Sequence, residues 1–280
     1  MEFEKSVAEL IKERKSTRTF EQTEIDKEKL QKLNDYMSKI NSEAGIKARF
    51  VLAHSRDGDS ESAKKLGTYG FIKGASCFIV GILDKNEKDA LQFGYLFEKI
   101  ILFATDLGFQ TCWLGGTFNK SDFEKSLSLN NGELIPIVSP VGIGKDRRRL
   151  FEAAMRVVVG ADKRKPWSEL FFDGNTSASL NEESAAPYTA PFEMVRLGPS
   201  ASNKQPWRII KDKDTVHFFL CRTKGYGVPS YDVQLNDIGI AKCHFDLTTN
   251  ELGLKGEWKK LESVSAPTEL EYVCSWVRTE

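Results

Sequence analysis

Residues 94–113 and 239–258 carry the feature that most limits what this chain can fold into. At an offset of 145, the two stretches share five of 20 positions: Gly94/Gly239, Leu102/Leu247, Leu107/Leu252, Gly108/Gly253 and Trp113/Trp258. Each stretch reads as a helix, a Leu-Gly stop and a Trp five residues beyond the glycine. In the first, Leu96, Phe97, Ile100, Ile101, Ala104 and Leu107 form an apolar stripe at helical spacing, from about Ala90 to Leu107. Gly108 is placed to end that helix in the left-handed conformation, which glycine adopts without a Cβ penalty. The second helix is expected from about Asp237 to Leu252. A repeat of this period implies two copies of one supersecondary unit. The expected division is an N-terminal half, 1–160, and a C-terminal half, 161–280. The halves share a core, and a loop or linker lies at about 173–190.

Apolar periodicity marks the other elements. Residues 2–13 read as a short helix with Phe3, Val7, Leu10 and Ile11 on one face. A second helix spans about Asp26 to Ile40. Phe50–His54 and Cys77–Leu83 are candidate strands, and the unbroken apolar run of the latter implies cover on both faces. Ile135–Ile143 and Met155–Val159 read as extended. Asp173–Ala190, rich in small and polar residues, reads as a linker or surface loop. Phe192–Leu197 closes a helix, Trp207–Ile210 and Val216–Cys221 form a hairpin, and Tyr272–Val277 is a final strand.

Composition removes several classes of function. Lys plus Arg equals Asp plus Glu, 40 against 40, so no broad basic surface for nucleic acid is implied. The charged N-terminal stretch shows no apolar signal region, and the longest apolar runs are far too short to span a membrane. Five cysteines, none in a CxxC, fit reduced thiols in a cytoplasmic protein. Three histidines without ligand spacing give no metal site.

Four segments have the chemistry of a binding site. Arg14-Lys15-Ser16-Thr17-Arg18-Thr19-Phe20 places three cations and hydroxyls together, as a phosphate dianion requires. The same residues also suit a solvated helix end. Pro199-Ser200-Ala201-Ser202-Asn203-Lys204-Gln205-Pro206-Trp207 is a stiff loop of short polar groups, suited to the edge of a planar heterocycle. Trp113-Leu114-Gly115-Gly116 permits close backbone approach to a ligand, or is a plain turn with a buried Trp. Gly142-Ile143-Gly144-Lys145-Asp146-Arg147-Arg148-Arg149 leads glycines into cations, yet is neither a Walker loop nor GxGxxG.

Together these segments resemble the FMN-dependent nitroreductase family. RKSTRTF is similar to that family's RRSxRxF, and PSASNKQPW to its PSxxNxQPW. CWLGG resembles its glycine turn, and GIGKDRRR resembles loosely its late basic strand end. In ordinary members the two specific motifs lie within roughly 30 residues of each other, and a homodimer builds each flavin site from both subunits. Here one motif opens the first half and the other lies in the second, while Lys163–Ser168 is a poor RRSxR. The resemblance is therefore to single-chain members, a fused pseudo-dimer with one flavin site.

The resemblance implies an α+β nitroreductase-like fold, a mixed sheet packed among helices, with the final strand reaching across to the other half. It implies FMN, with NADH or NADPH as hydride donor and a small organic acceptor such as a nitroaromatic or quinone. Flavin carries the chemistry, so no catalytic side chain is demanded. The implied cofactor contacts are Arg14, Lys15, Ser16, Arg18, Trp113, Leu114, Gly115, Gly116, Lys145, Arg147, Pro199, Ser200, Ala201, Ser202, Asn203 and Gln205. Monomer and weak homodimer both remain open, as do a non-catalytic FMN binder and a cofactor-free scaffold of the same fold.

Overall fold

The computed structural model describes residues 2–55, 66–145, 163–228, 230–265 and 267–279. Local signals explain where its first helices begin. Ser6 and Glu9 form a reciprocal capping box that starts α1, Val7–Glu13. Asp26 caps α2, Lys27–Glu43, by accepting from the Glu28 and Lys29 amides. Strands β1 (Ala48–His54) and β2 (Cys77–Asp84) follow, then α3 (Ala90–Asp106), β3 (Gln110–Thr111), α4 (Lys120–Leu127) and β4 (Glu133–Gly142). The second part of the chain adds α5 (Trp167–Leu170), β5 (Phe171–Asp173), α6 (Thr189–Leu197), β6 (Trp207–Asp212) and β7 (Thr215–Leu220). It ends with α7 (Val233–Glu251), β8 (Gly256–Lys259) and β9 (Glu271–Arg278).

The fold is α+β, as expected, with strands in two sheets packed among helices. Their orders are β1-β2-β4-β3 and β5-β6-β7-β9-β8. Without β5, which joins β6 in parallel, both sheets have the same order, all pairs are antiparallel, and one long helix joins the second and third strands of the chain in each. The sequence repeat is thus matched by a repeat of topology. Helix ends match too. Phe109 N–H reaches Ala104 O and Gly108 N–H reaches Thr105 O; Leu254 N–H reaches Thr249 O and Gly253 N–H reaches Asn250 O. Both are Schellman ends, with Gly108 at φ +83 and Gly253 at φ +71.

Helices α3 and α7 pack against each other at the repeated glycines. A Cβ on Gly94 would run into the Asn236 carbonyl, and one on Gly239 into the Leu91 carbonyl. Around this crossing lie two main cores. Leu33, Phe50, Phe93 and Phe97 belong to one, and Trp207, Phe218, Phe245 and Trp276 to the other. Strand β2 is buried on both faces, as its composition predicts. Cys77 and Ile79 face the α3 core, whereas Phe78, Val80 and Ile82 face a third cluster with Phe123.

One expectation changes. The final strand β9 does not reach across to the other half. It lies inside the second sheet between β7 and β8, where Val216 and Trp258 both pair with Trp276. The 173–190 segment, expected as a linker or surface loop, is irregular and largely exposed from Gly174 to Tyr188, with Leu180, Ala185 and Tyr188 buried in the second core. Met155–Val159 lies outside the described residues, as does the expected boundary at 160.

Candidate functional site

Residues 14–20 run extended because three neighbours hold their backbone. Arg14 closes α1 by donating its amide to Leu10 O. Thr17 N–H bonds Thr111 O of β3 at 2.9 Å, Lys73 N–H bonds Arg18 O at 2.9 Å, and Phe20 N–H bonds Lys73 O at 2.8 Å. Phe20 is buried and anchors the far end. Beside this segment, Leu114 exchanges both backbone hydrogen bonds with Val138 of β4. That pairing fixes the turn Gly115-Gly116. A Cβ on Gly116 would meet nothing within 4 Å, so the turn opens onto free space.

The opposite wall comes from residues 199–203, between α6 and β6. This loop is strained: Ser202, Asn203 and Gln205 all have positive φ, at 48°, 54° and 48°. Side chains from elsewhere hold it. Asn203 donates to Lys163 O at 2.8 Å and accepts from Arg164 Nη1 at 2.8 Å. Ala201 N–H donates to both oxygens of Asp237, at 3.1 and 3.0 Å. Tyr226 Oη donates to Ser202 Oγ at 2.9 Å. Trp207, fully buried, ties the loop to the second core.

Between the walls is a cleft of about 820 Å³, within the usual range of small-molecule sites. Arg14, Lys15, Ser16, Arg18, Trp113, Leu114, Gly115, Gly116, Pro199, Ser200, Ala201, Ser202 and Asn203 all line it. Segments nearly 200 positions apart in sequence therefore share one cavity. Lys145 and Gln205 are not in its lining. Lys145 is exposed beside Thr19, to whose carbonyl its backbone bonds. Gln205 is buried and turns away, its carbonyl accepting from the Lys165 amide. Arg147 lies outside the described residues.

The cleft has further walls that the motifs do not contain: Lys12, Phe71, Arg164, Tyr226, Asn236 and Asp237. Arg164 sits in the segment that matches RRSxR poorly, and only its position in the repeat could have drawn attention to it. Trp113 is fixed from behind. Its indole N–H donates to Glu98 at 2.9 Å, and the other Glu98 oxygen meets His244 Nε2 at 2.9 Å. Glu98 and His244 are fully buried, so this bridge ties the cleft to both long helices.

Five cationic side chains, Lys12, Arg14, Lys15, Arg18 and Arg164, line the cleft, and Asp237 is the one carboxyl among the described lining residues. Burial pushes the Asp237 carboxyl well above the usual range, opposed only in part by the Ala201 N–H. A cleft of this kind favours a ligand with a strong anionic end and a planar polar body. Among the described residues there is no His/Cys/Asp/Glu cluster fit for a metal, and no helix is long and apolar enough to cross a membrane.

Comparison with known proteins agrees with this architecture. The family model described as "Putative TM nitroreductase" matches residues 6–249. The structure of a "putative nitroreductase" from Thermotoga maritima aligns with a TM-score of 0.56 at 18% identity, covering 98% of this chain and 94% of that one. An FMN-dependent nitroreductase from Clostridium difficile aligns at 21% identity and a TM-score of 0.40, over 50% of this chain and 88% of its own. A nitroreductase family protein from Clostridium novyi aligns at 25% identity and a TM-score of 0.39, over 51% of this chain and 87% of its own. No curated protein matches the sequence.

Proposed function

The chain belongs to the family described as "Putative TM nitroreductase", and from that premise we propose that it is a cytoplasmic FMN-dependent NAD(P)H oxidoreductase holding one flavin per chain. One observation carries the proposal: RKSTR and PSASN, from opposite ends of the chain, line the same basic cleft. Two halves of one chain then do what two subunits do in a dimeric relative, and the molecule is an intramolecular pseudo-dimer. Five free cysteines, with no disulfide among them, suit a reducing compartment.

The residues present fit FMN. Arg14, Lys15 and Ser16 offer charge-assisted donors and a hydroxyl to its phosphate. Arg18 is the cation for the pyrimidine edge, and the open backbone at Leu114–Gly116 serves the ring edge beside it. Pro199, Ser200, Ser202 and Asn203 close the other side. Bound there, FMN supplies the hydride chemistry, taking the equivalent from NAD(P)H and passing it to a small organic acceptor. The protein orients the ring, neutralises the phosphate and restricts water. The test is spectroscopic. The purified protein, or the protein refolded with FMN, is expected to be yellow and to bleach when NADH or NADPH is added without oxygen. Yellow protein that does not bleach would make it a binder without turnover. Protein that takes up no FMN would remove the flavin assignment.

A further inference from the structure

Asp237 holds the 199–203 loop through the Ala201 N–H, and that contact leaves its own chemistry unused. It stands in the second turn of α7, about 3% exposed, and forms part of the cleft wall. A buried carboxylate is normally stabilised by a cation or by several donors. Among the described residues Asp237 has one donor, the Ala201 N–H, shared by both oxygens. The charged group acting on it from its own helix is Asp232, which repels a second negative charge. From the preceding loop it faces Tyr231, whose hydroxyl donates to Asn236 and is held neutral by burial. The cations of the cleft are Lys12, Arg14, Lys15, Arg18 and Arg164, and none of them is hydrogen-bonded to Asp237. Desolvation thus favours the neutral acid, in a wall of the same cleft that the flavin reading assigns to the cofactor.

We propose that Asp237 is the acid that protonates the acceptor during its reduction. The inference rests on the flavin reading above. For a quinone, hydride addition to one oxygen gives the hydroquinone monoanion, and NAD(P)H, the reductant, becomes NAD(P)+. The O–H bond of Asp237 breaks, its proton goes to the second oxygen, and neutral hydroquinone leaves. The Asp237 carboxylate then regains a proton from water. A carboxyl raised by burial keeps its proton at a pH where an ordinary carboxylate has lost it, as a general acid requires.

Asp237→Asn keeps the size and an oxygen to accept from Ala201, and removes the proton. Two acceptors separate its effects: 1,4-benzoquinone, which needs protons, and ferricyanide, which takes only electrons. With pre-reduced enzyme in stopped flow, the ratio of the benzoquinone rate to the ferricyanide rate is expected to be about tenfold or more lower in D237N than in wild type. The wild-type benzoquinone rate should fall as pH rises through the Asp237 titration, and that limb should vanish in D237N. A readout independent of turnover is the infrared carbonyl stretch of a protonated carboxyl. It is expected at neutral pH in the flavin-free protein and absent in D237N. Equal losses with both acceptors would leave Asp237 as a clamp on the 199–203 loop alone and overturn the proposal. So would absence of the infrared band in wild type. Wild-type protein that binds no FMN would overturn the flavin reading itself, whatever the infrared spectrum shows.

Discussion

Adding one methyl group at the centre of the α3–α7 crossing should loosen the whole molecule. Gly239→Ala has two opposed effects. Within a helix, Ala is favoured over Gly by about 1 kcal/mol. At this position, however, the new Cβ would run into the Leu91 carbonyl and lie 2.8 Å from Tyr95 N and 3.0 Å from Gly94 Cα. All three are backbone atoms, so no side-chain rotation can relieve the clash. The helices must separate, and overpacking of this kind costs about 1–3 kcal/mol, with rigid neighbours at the upper end. The net expectation is a loss of about 2 kcal/mol. For a chain of this size that is a fall in Tm of roughly 4 °C, together with a lower urea midpoint at unchanged slope. Gly94→Ala should behave alike, since its Cβ would meet the Asn236 carbonyl. The double variant should lose less than the sum, because helices already parted by one methyl accommodate the second more easily. FMN affinity should drop as well, since α7 carries Val233, Asn236, Asp237 and Ile240 into the cleft. A G239A protein as stable as wild type, or more so, would mean that the crossing has room for a Cβ. The backbone-to-backbone contact would then be refuted.

Titration of apo-protein with FMN should saturate at one equivalent per chain; a ratio of two would require a second working site. Arg18→Ala and Asn203→Ala, 185 positions apart, should each weaken FMN binding about tenfold or more, as expected for loss of a charge-assisted or well-placed hydrogen bond of about 1.5–3 kcal/mol. Unchanged affinity in either would separate that residue from the flavin. On the acid side, Arg49 holds the Glu133 carboxyl down to about 2 through its guanidinium. The native state therefore favours ionised Glu133. Its contribution is full above the ordinary carboxylate range and is lost as pH falls from there toward 2. Urea melts from pH 5 to pH 2.5 should show a shallower decline in Glu133→Gln than in wild type.

Helices with a clean apolar face and a polar cap were legible from the sequence, and α2 and α3 fall within a few residues of expectation. Helix α7 was read from Asp237 but starts at Val233. Its first five residues include buried Gln234, Asn236 and Asp237, and buried polar residues blur the pattern that periodicity relies on. The two-residue β3 and the short α5 are set by pairing with distant strands and helices, and no local signal marks them. Within the cleft, contiguous motifs stood out, whereas Phe71, Arg164, Tyr226 and Asp237 enter it only through tertiary structure. Gln205 shows the reverse. It belongs to a motif whose first five residues, 199–203, face the cleft, yet a positive φ turns its amide toward Lys163 and Lys165.

The proposal of a single flavin follows from what stands at the repeat-related position. In the first half, Gly115 and Gly116 leave an opening after Trp113. At the offset of 145, the residues after Trp258 are Lys260 and Leu261. Lys260 does not face an opening. Its ammonium bonds the Tyr272 and Val273 carbonyls at 2.9 and 2.7 Å, and lies 4.4 Å from the centre of the Tyr272 ring. The loop that closes the first cleft runs from 198 to 206, between α6 and β6. The matching connection, between α2 and β1, is only 44–47, too short to form a second wall of that kind. Arg164, in the segment of the second half that matches RRSxR poorly, reaches to Leu197 O and Asn203 and lines the first cleft. A second site would therefore lack its glycine turn, its covering loop and its arginine. Restoring one alone, for instance by Lys260→Gly, should leave the stoichiometry at one FMN per chain. Uptake of a second equivalent by that variant would show that the side chain of Lys260 was the sole obstacle.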